Sequence, residues 1–205
     1  MVAPKPIRIL RRLLRACCEQ EAAQIVELAV SLPLLAVLFV TTYDFGEAFN
    51  IKQKLVMVTR EAARFASNQP TSDLTNANAG CKAPLSVCAV RDLIDQLLVS
   101  EKVPDCGLGA AQAGSSTAWS WEFDASSGCS TPFVVVINRG FTYPSTSVKG
   151  GIGGGRVTVT VEATQVNLSY PYHWQFNQVV KLLGTNSNYG AVTTIHTSAT
   201  MQNLN

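Results

Sequence analysis

Ala22-Ala23-Gln24-Ile25-Val26-Glu27-Leu28-Ala29-Val30-Ser31-Leu32-Pro33-Leu34-Leu35-Ala36-Val37-Leu38-Phe39-Val40-Thr41-Thr42-Tyr43-Asp44-Phe45-Gly46 is the stretch on which the fold turns. Ile25 to Tyr43 is 19 residues, roughly 28 Å as an α-helix, close to the thickness of a bilayer's hydrocarbon core. A helix of that length in a water-soluble core shows a polar stripe. From Leu28 to Val40 the only polar side chain is Ser31. The spacing predicts one helix from Ala22 to Ser67, half in a membrane and half outside it.

A cleavable secretory signal is the competing reading. Its apolar region is shorter, and no small-x-small site follows here, where the exit is Tyr43-Asp44-Phe45-Gly46-Glu47. A retained span fits better. Residues 1–21 hold Lys5, Arg8, Arg11, Arg12 and Arg15 against Glu19 and Glu21. Basic residues ahead of a span place the N-terminus in the cytoplasm and the remaining chain outside. The same leucine–arginine alternation would suit an amphipathic helix on an anionic surface; a solvated flank is the simpler expectation. Cys17 and Cys18 are juxtamembrane, the setting of acylated cysteines, with nothing further to support it.

Pro33 lacks an amide hydrogen and crowds the carbonyl of residue 29, so a bend is expected there. Beyond the span, Phe45, Ala48, Phe49, Leu55, Val56, Thr59, Ala62, Ala63 and Ala66 fall on one broad helical face. The expected cover for Ala62, Ala63 and Ala66 is the chain's own C-terminal part. Asn68-Gln69-Pro70 ends the helix. Asp44, at the outer boundary, reads as solvated.

The remaining sequence predicts an amphipathic helix over Ser86–Lys102, an irregular Gly/Ala-rich segment over Asp105–Ser116, and strands over Ala118–Phe123, Phe133–Asn138, Arg156–Leu168 and Tyr189–Met201. A short helix is expected over Trp174–Leu183. Helices first and antiparallel strands later make the class α+β. The organisation is a basic leader (1–22), a transmembrane and extended amphipathic helix (23–67), and an extracytoplasmic α+β domain (68–205).

Cys81, Cys88, Cys106 and Cys129 all follow the span, an even set that fits disulfides in an oxidising compartment. Three pairings are open; nearest-neighbour pairing, Cys81 with Cys88 and Cys106 with Cys129, is the expected one.

Chemistry is thinly represented. The run Lys149-Gly150-Gly151-Ile152-Gly153-Gly154-Gly155 lacks the closing Gly-Lys-Ser/Thr of a phosphate loop and reads as a hairpin loop. His173 and His196 have no Asp, Glu or Cys at metal-ligand spacing, and Cys81 and Cys88 are too far apart for a zinc knuckle. No nucleophile elbow or paired-carboxylate pattern stands out. The expectation is no enzyme, no cofactor, no metal and no nucleic-acid partner. Trp119, Trp121 and Trp174 read as core or interface. Glu27 is the most informative side chain, because a carboxylate inside an apolar run is expensive and a functional suspect by default. It can instead snorkel to the nearby interface. A cut between Ala22 and Ala23 would put a new α-amine one helical turn before it.

Glu27-Leu28-Ala29, Leu32-Pro33, Asp44-Phe45-Gly46 and Arg60-Glu61-Ala62-Ala63-Arg64, in that order and spacing, resemble the TadE-like family, minor pseudopilins of tight-adherence (type IV-like) pilus systems. The strand Val157–Val161 and the closing Ala199-Thr200-Met201 add a weaker likeness; Thr71–Phe141 adds none. The resemblance implies a bacterial inner-membrane protein that helps assemble an adhesive pilus. Its partners would be other pilins and pseudopilins, the assembly platform and a prepilin peptidase. It implies removal of the leader after Ala22, with Ala23 first and Glu27 fifth in the mature chain; the residue before the cut is usually glycine in the family. It also implies lateral packing of the helix through Asp44, Phe45, Gly46, Arg60 and Arg64. A membrane-anchored binding or adhesion domain without a pilus is the alternative from another class, and a tethered hydrolase a third.

Overall fold

The computed structural model describes residues 6–149, 156–175 and 193–203. The chain divides into two units, Met1–Gly46 with Gln175–Tyr189, and Glu47–Trp174 with Gly190–Asn205. One helix, α1 (Pro6–Ser67), begins in the first and ends in the second.

The helix starts earlier than Ala22 because nothing in the leader stops it. Leu, Ile, Arg, Ala, Gln and Glu dominate residues 7–21, and all but Ile are strong helix formers. Pro6 fits the first helical position, where its missing amide hydrogen costs nothing. α1 also runs through Pro33 as continuous helix. At the far end Ser67 Oγ and Asn68 Nδ2 both donate to the Arg64 carbonyl (2.9 and 3.0 Å), satisfying an acceptor that the ending helix leaves open.

In the second unit α1 is joined by α2 (Leu85–Ser100), a short 3-10 turn (Leu108–Ala110) and five strands: β1 (Ala113–Thr117), β2 (Ser120–Ala125), β3 (Phe133–Lys149), β4 (Arg156–Tyr172) and β5 (Thr193–Gln202). The strands form one antiparallel sheet in sequence order. The α+β class stands. Lys149 pairs with Arg156, so the strands flanking the glycine run are hairpin partners; the run itself, 150–155, lies outside the described residues. So do most of the helix expected over Trp174–Leu183 and the first residues of the last strand.

Two strand readings change. The segment read as irregular contains β1, whose Ala-Gly-Ser-Ser-Thr carries no alternation; it is a strand because β2 pairs with it. β3 continues eleven residues past Asn138 through Gly140 and Pro144, residues that read as breakers. A bulge between Asn138 and Phe141 absorbs the irregularity.

The core is built from one face of each element. Leu55, Val58, Ala62, Ala63 and Ala66 of α1 and Val87, Val90, Ile94 and Leu98 of α2 pack with Phe123, Phe133, Val135, Ile137, Val166 and Leu168 of the sheet, each at most 1% exposed. The small-residue face of α1 is thus covered by the chain's own domain, as expected. Phe133 meets Tyr170 edge-on, with centroids 5.5 Å apart. Polar ties add register. Thr59 Oγ1 donates to the Leu55 carbonyl (2.6 Å) and lies 2.7 Å from Thr197 Oγ1 of β5. Lys54 Nζ donates to the Glu101 carbonyl at the end of α2 (2.6 Å), a cation where the helix dipole is negative. Buried Arg91 lies over the Phe123 ring at 5.9 Å and pairs with Asp92. The disulfides are Cys81–Cys88 and Cys106–Cys129, the nearest-neighbour pairing.

One acidic pair works against the fold. Burial, and then Asp105 through a hydrogen bond and like charge, hold the Asp95 carboxyl above the usual carboxylate range, while the Gly109 amide, 3.2 Å away, pulls the other way. A raised acid gives stability that is complete below its unfolded value and is lost as pH rises through the folded one. Asp95→Asn keeps the acceptor for Gly109 and removes the charge. The expected result is a variant more stable than wild type at pH 7, by about 0.5 kcal/mol as for a solvent-screened pair. The gain shrinks toward pH 4; urea midpoints at the two pH values measure it.

Candidate functional site: the helix over residues 22–64

Within its own unit, the first part of α1 is wrapped in exposed apolar side chains. Ile25, Val26, Leu28, Val30, Leu32, Leu34, Leu35, Leu38 and Phe39 are each 57–75% exposed. Successive helical positions point in all directions, so no polar face is left. Water does not tolerate such a sleeve, whereas a hydrocarbon layer does. Ala23–Ser67 contains an 18-residue window of mean hydropathy 2.2, none of it buried, long and apolar enough to cross a membrane. The hydroxyls inside the sleeve are satisfied by the helix itself. Ser31 Oγ donates to the Leu28 carbonyl (3.2 Å), Thr41 Oγ1 to Val37 (2.8 Å) and Thr42 Oγ1 to Leu38 (2.8 Å). Back-bonding of this kind is how a polar side chain survives without water.

Glu27 sits exposed in this sleeve, one helical turn after Ala23. The side chain of Ala22 lies outside the described residues. Pro33 is exposed and mid-helix. Asp44 corrects the sequence reading: it is 5% exposed, a buried acid and not a solvated one. A patterning argument sees only its place at an apolar-to-polar transition, not the three-dimensional packing that covers it. Phe45 is 49% exposed, and a Cβ added to Gly46 would touch nothing, so the glycine leaves open space beside the helix.

The broad apolar face expected beyond the span is in fact two faces. Leu55, Thr59, Ala62, Ala63 and Ala66 are buried together with Val58. Phe49, at 63%, and Met57, at 48%, look outward with Arg60 and Arg64. Phe49, Lys52, Gln53, Val56, Met57 and Arg60 outline a shallow open groove. Arg64 pairs with Glu61 at 4.0 Å, both well exposed, an ion pair worth little on its own. The structure therefore splits the sequence-predicted residues. Glu27, Pro33, Phe45, Arg60 and Arg64 are exposed along one helix, Asp44 is buried, and the four cysteines stand apart as staples. Among the described residues no cluster of three metal-ligating side chains occurs.

Sequence reasoning passed over Arg139. It lies on β3 at the bulge, 2% exposed, with Nη2 donating to the Gln69 carbonyl at 2.7 Å. Burial lowers its pKa, partly offset by the negative charge of Asp73. An arginine isolated at the end of an apolar strand was the available signal.

No curated protein and no solved structure matches the chain. One family model does: residues 22–64, a stretch inside α1, match the model described as TadE-like protein, and this part of the helix is similar to that family.

Proposed function

We propose that the protein is a single-pass, non-catalytic component of tight-adherence pilus assembly, a minor pseudopilin held in the bacterial inner membrane. Its N-terminus is cytoplasmic and its disulfide-bonded domain lies outside. The observation that carries this reading is the placement of the TadE-like match on a helix whose first half is an apolar sleeve carrying one exposed carboxylate, Glu27. Such a helix can pack sideways with pilin-like helices while the domain stays in water, and a carboxylate in that setting needs a cation partner. A prepilin peptidase cutting between Ala22 and Ala23 supplies one as the new α-amine. The assembly platform and other pilins are the partners of this reading.

Glu27→Leu is the test. Its apolar side chain favours insertion, so membrane level is expected to hold while pilus number falls at least tenfold. A plain anchor tolerates the change, and unaltered piliation overturns the reading. Intact mass of the membrane-extracted protein provides the second check: loss of 22 residues is expected, and a full-length chain removes the peptidase from the scheme.

A further inference from the structure

The β1–β2 hairpin of the outer unit turns in two residues, Ala118 and Trp119, between the paired Thr117 and Ser120. The second of them has φ +66°. That backbone region belongs to Gly and Asn, and a bulky side chain there is held against a conformational cost. Trp119 is nevertheless 44% exposed, so burial does not repay it. Its seat is made by Gly140, where a Cβ would stand 2.7 Å from the Trp119 Cβ, and by the bulge that carries Gly140. Strain, bulge and exposed aromatic converge on one spot, the usual mark of a site kept for function.

An open cleft of about 470 Å³ adjoins that spot, bordered by Thr71, Trp119, Arg139, Thr142, Glu162 and Asn203. Its size is in the range of small-molecule sites. Arg139 is the buried member, and its Nε and Nη1 have no acceptor among the described residues. Buried donors left open are costly, and a native structure that keeps them calls for an explanation. A second cleft of about 380 Å³, with Trp121, Lys82 and Pro84, also borders Trp119.

The charges choose the ligand. In the first cleft Arg139 is matched in sign by Glu162, Lys82 lines the second, and Asp73 acts on Arg139 while its carboxylate accepts from the Ser86 amide and hydroxyl. The signs balance, which disfavours an anion, and Glu162 would repel one directly. The Trp119 side chain lines the cleft, and the rim offers hydroxyls, a carboxylate and an amide. That set matches a ring with one C–H face and several hydroxyls.

We propose that this cleft binds a neutral saccharide, with the Trp119 indole stacked on the sugar ring, Glu162 accepting from its hydroxyls, and Arg139 at the floor meeting a sugar oxygen. The proposal does not depend on the pilus reading.

The test is calorimetric titration of the detergent-solubilised full chain with maltotriose and tri-N-acetylchitotriose; triglycine and sodium acetate serve as peptide and anion arms. Saturable binding of at least one trisaccharide is expected, weakened at least tenfold by Trp119→Gly and by Glu162→Ala. Trp119→Gly places a residue suited to φ +66° in the turn, so it is expected to melt no lower than wild type. Glu162→Ala tests the site independently should that variant fail to fold. Binding of triglycine or acetate without either sugar overturns the proposal. So does sugar binding that both variants retain, or no saturable binding of either sugar.

Discussion

Ala62→Phe is expected to lower the urea midpoint of the α/β unit that begins at Glu47 sharply, whereas Phe49→Ala leaves it in place. Both residues belong to the same helix and to the same TadE-like match. Ala62 is 0% exposed, wedged in the core that α1 shares with α2 and the sheet. Six extra carbons and a ring have no room there, and overpacking of a dense core costs about 1–3 kcal/mol, more when a helix must lift. For a domain of this size each kcal/mol moves the melting temperature by about 2–4 °C. Phe49 is 63% exposed, and its removal from a solubilised monomer should fall within about 0.5 kcal/mol of zero. Equal losses for the two variants would mean that the division of this helix into a covered and an outward face is wrong. The measure is the midpoint at constant slope, since a changed slope reports a changed denatured state.

Replacing Cys106 and Cys129 by serine is expected to cost about 3 kcal/mol, and replacing Cys81 and Cys88 about 2.5 kcal/mol. The difference follows from loop length, with 23 residues of separation against 7, because a longer closed loop removes more freedom from the unfolded chain. The larger loop also holds the β1–β2 hairpin, which lies between Cys106 and Cys129 in sequence. The shorter bridge fixes the turn-rich segment before α2 to that helix's first turn. Thermal melts of the two double variants, without reductant, should separate by a degree or two in that order. A reversed order would point to residual structure in the unfolded chain outweighing loop entropy.

The parts of the fold that read easily from sequence are those set by local chemistry. A predominantly apolar run of 19 residues marks a candidate span, Asn68-Gln69-Pro70 closes a helix, and Val157, Val159 and Val161 alternate. What resisted reading was set by distant partners. β1 has no strand chemistry of its own and exists through its pairing with β2. Gly140 and Pro144 look like the end of β3 but sit inside it: a bulge takes up Gly140, and Pro144 pairs in register with Thr160. Helical periodicity placed Phe49 and Ala62 on one face; only the sheet's position decides that one of them is covered. Asp44 failed for a similar reason, since burial is a property of the fold and not of the local pattern. The four cysteines were legible as a set, and their pairing followed the shortest loops.

Thr59 meets Thr197 across 138 positions of chain, and with that contact β5 comes against α1. Synthesis runs the other way. The face of α1 carrying Leu55, Val58 and Ala62 leaves the ribosome long before β3, β4 and β5 exist to cover it. Order is therefore imposed on assembly: closure of the domain waits for β5. Long-range pairing of this kind is slow, and an apolar surface left waiting is prone to aggregate. A ribosome stalled before residue 193 thus leaves a long helix with a sticky, half-roofed domain, and rapid overproduction should accumulate such chains first.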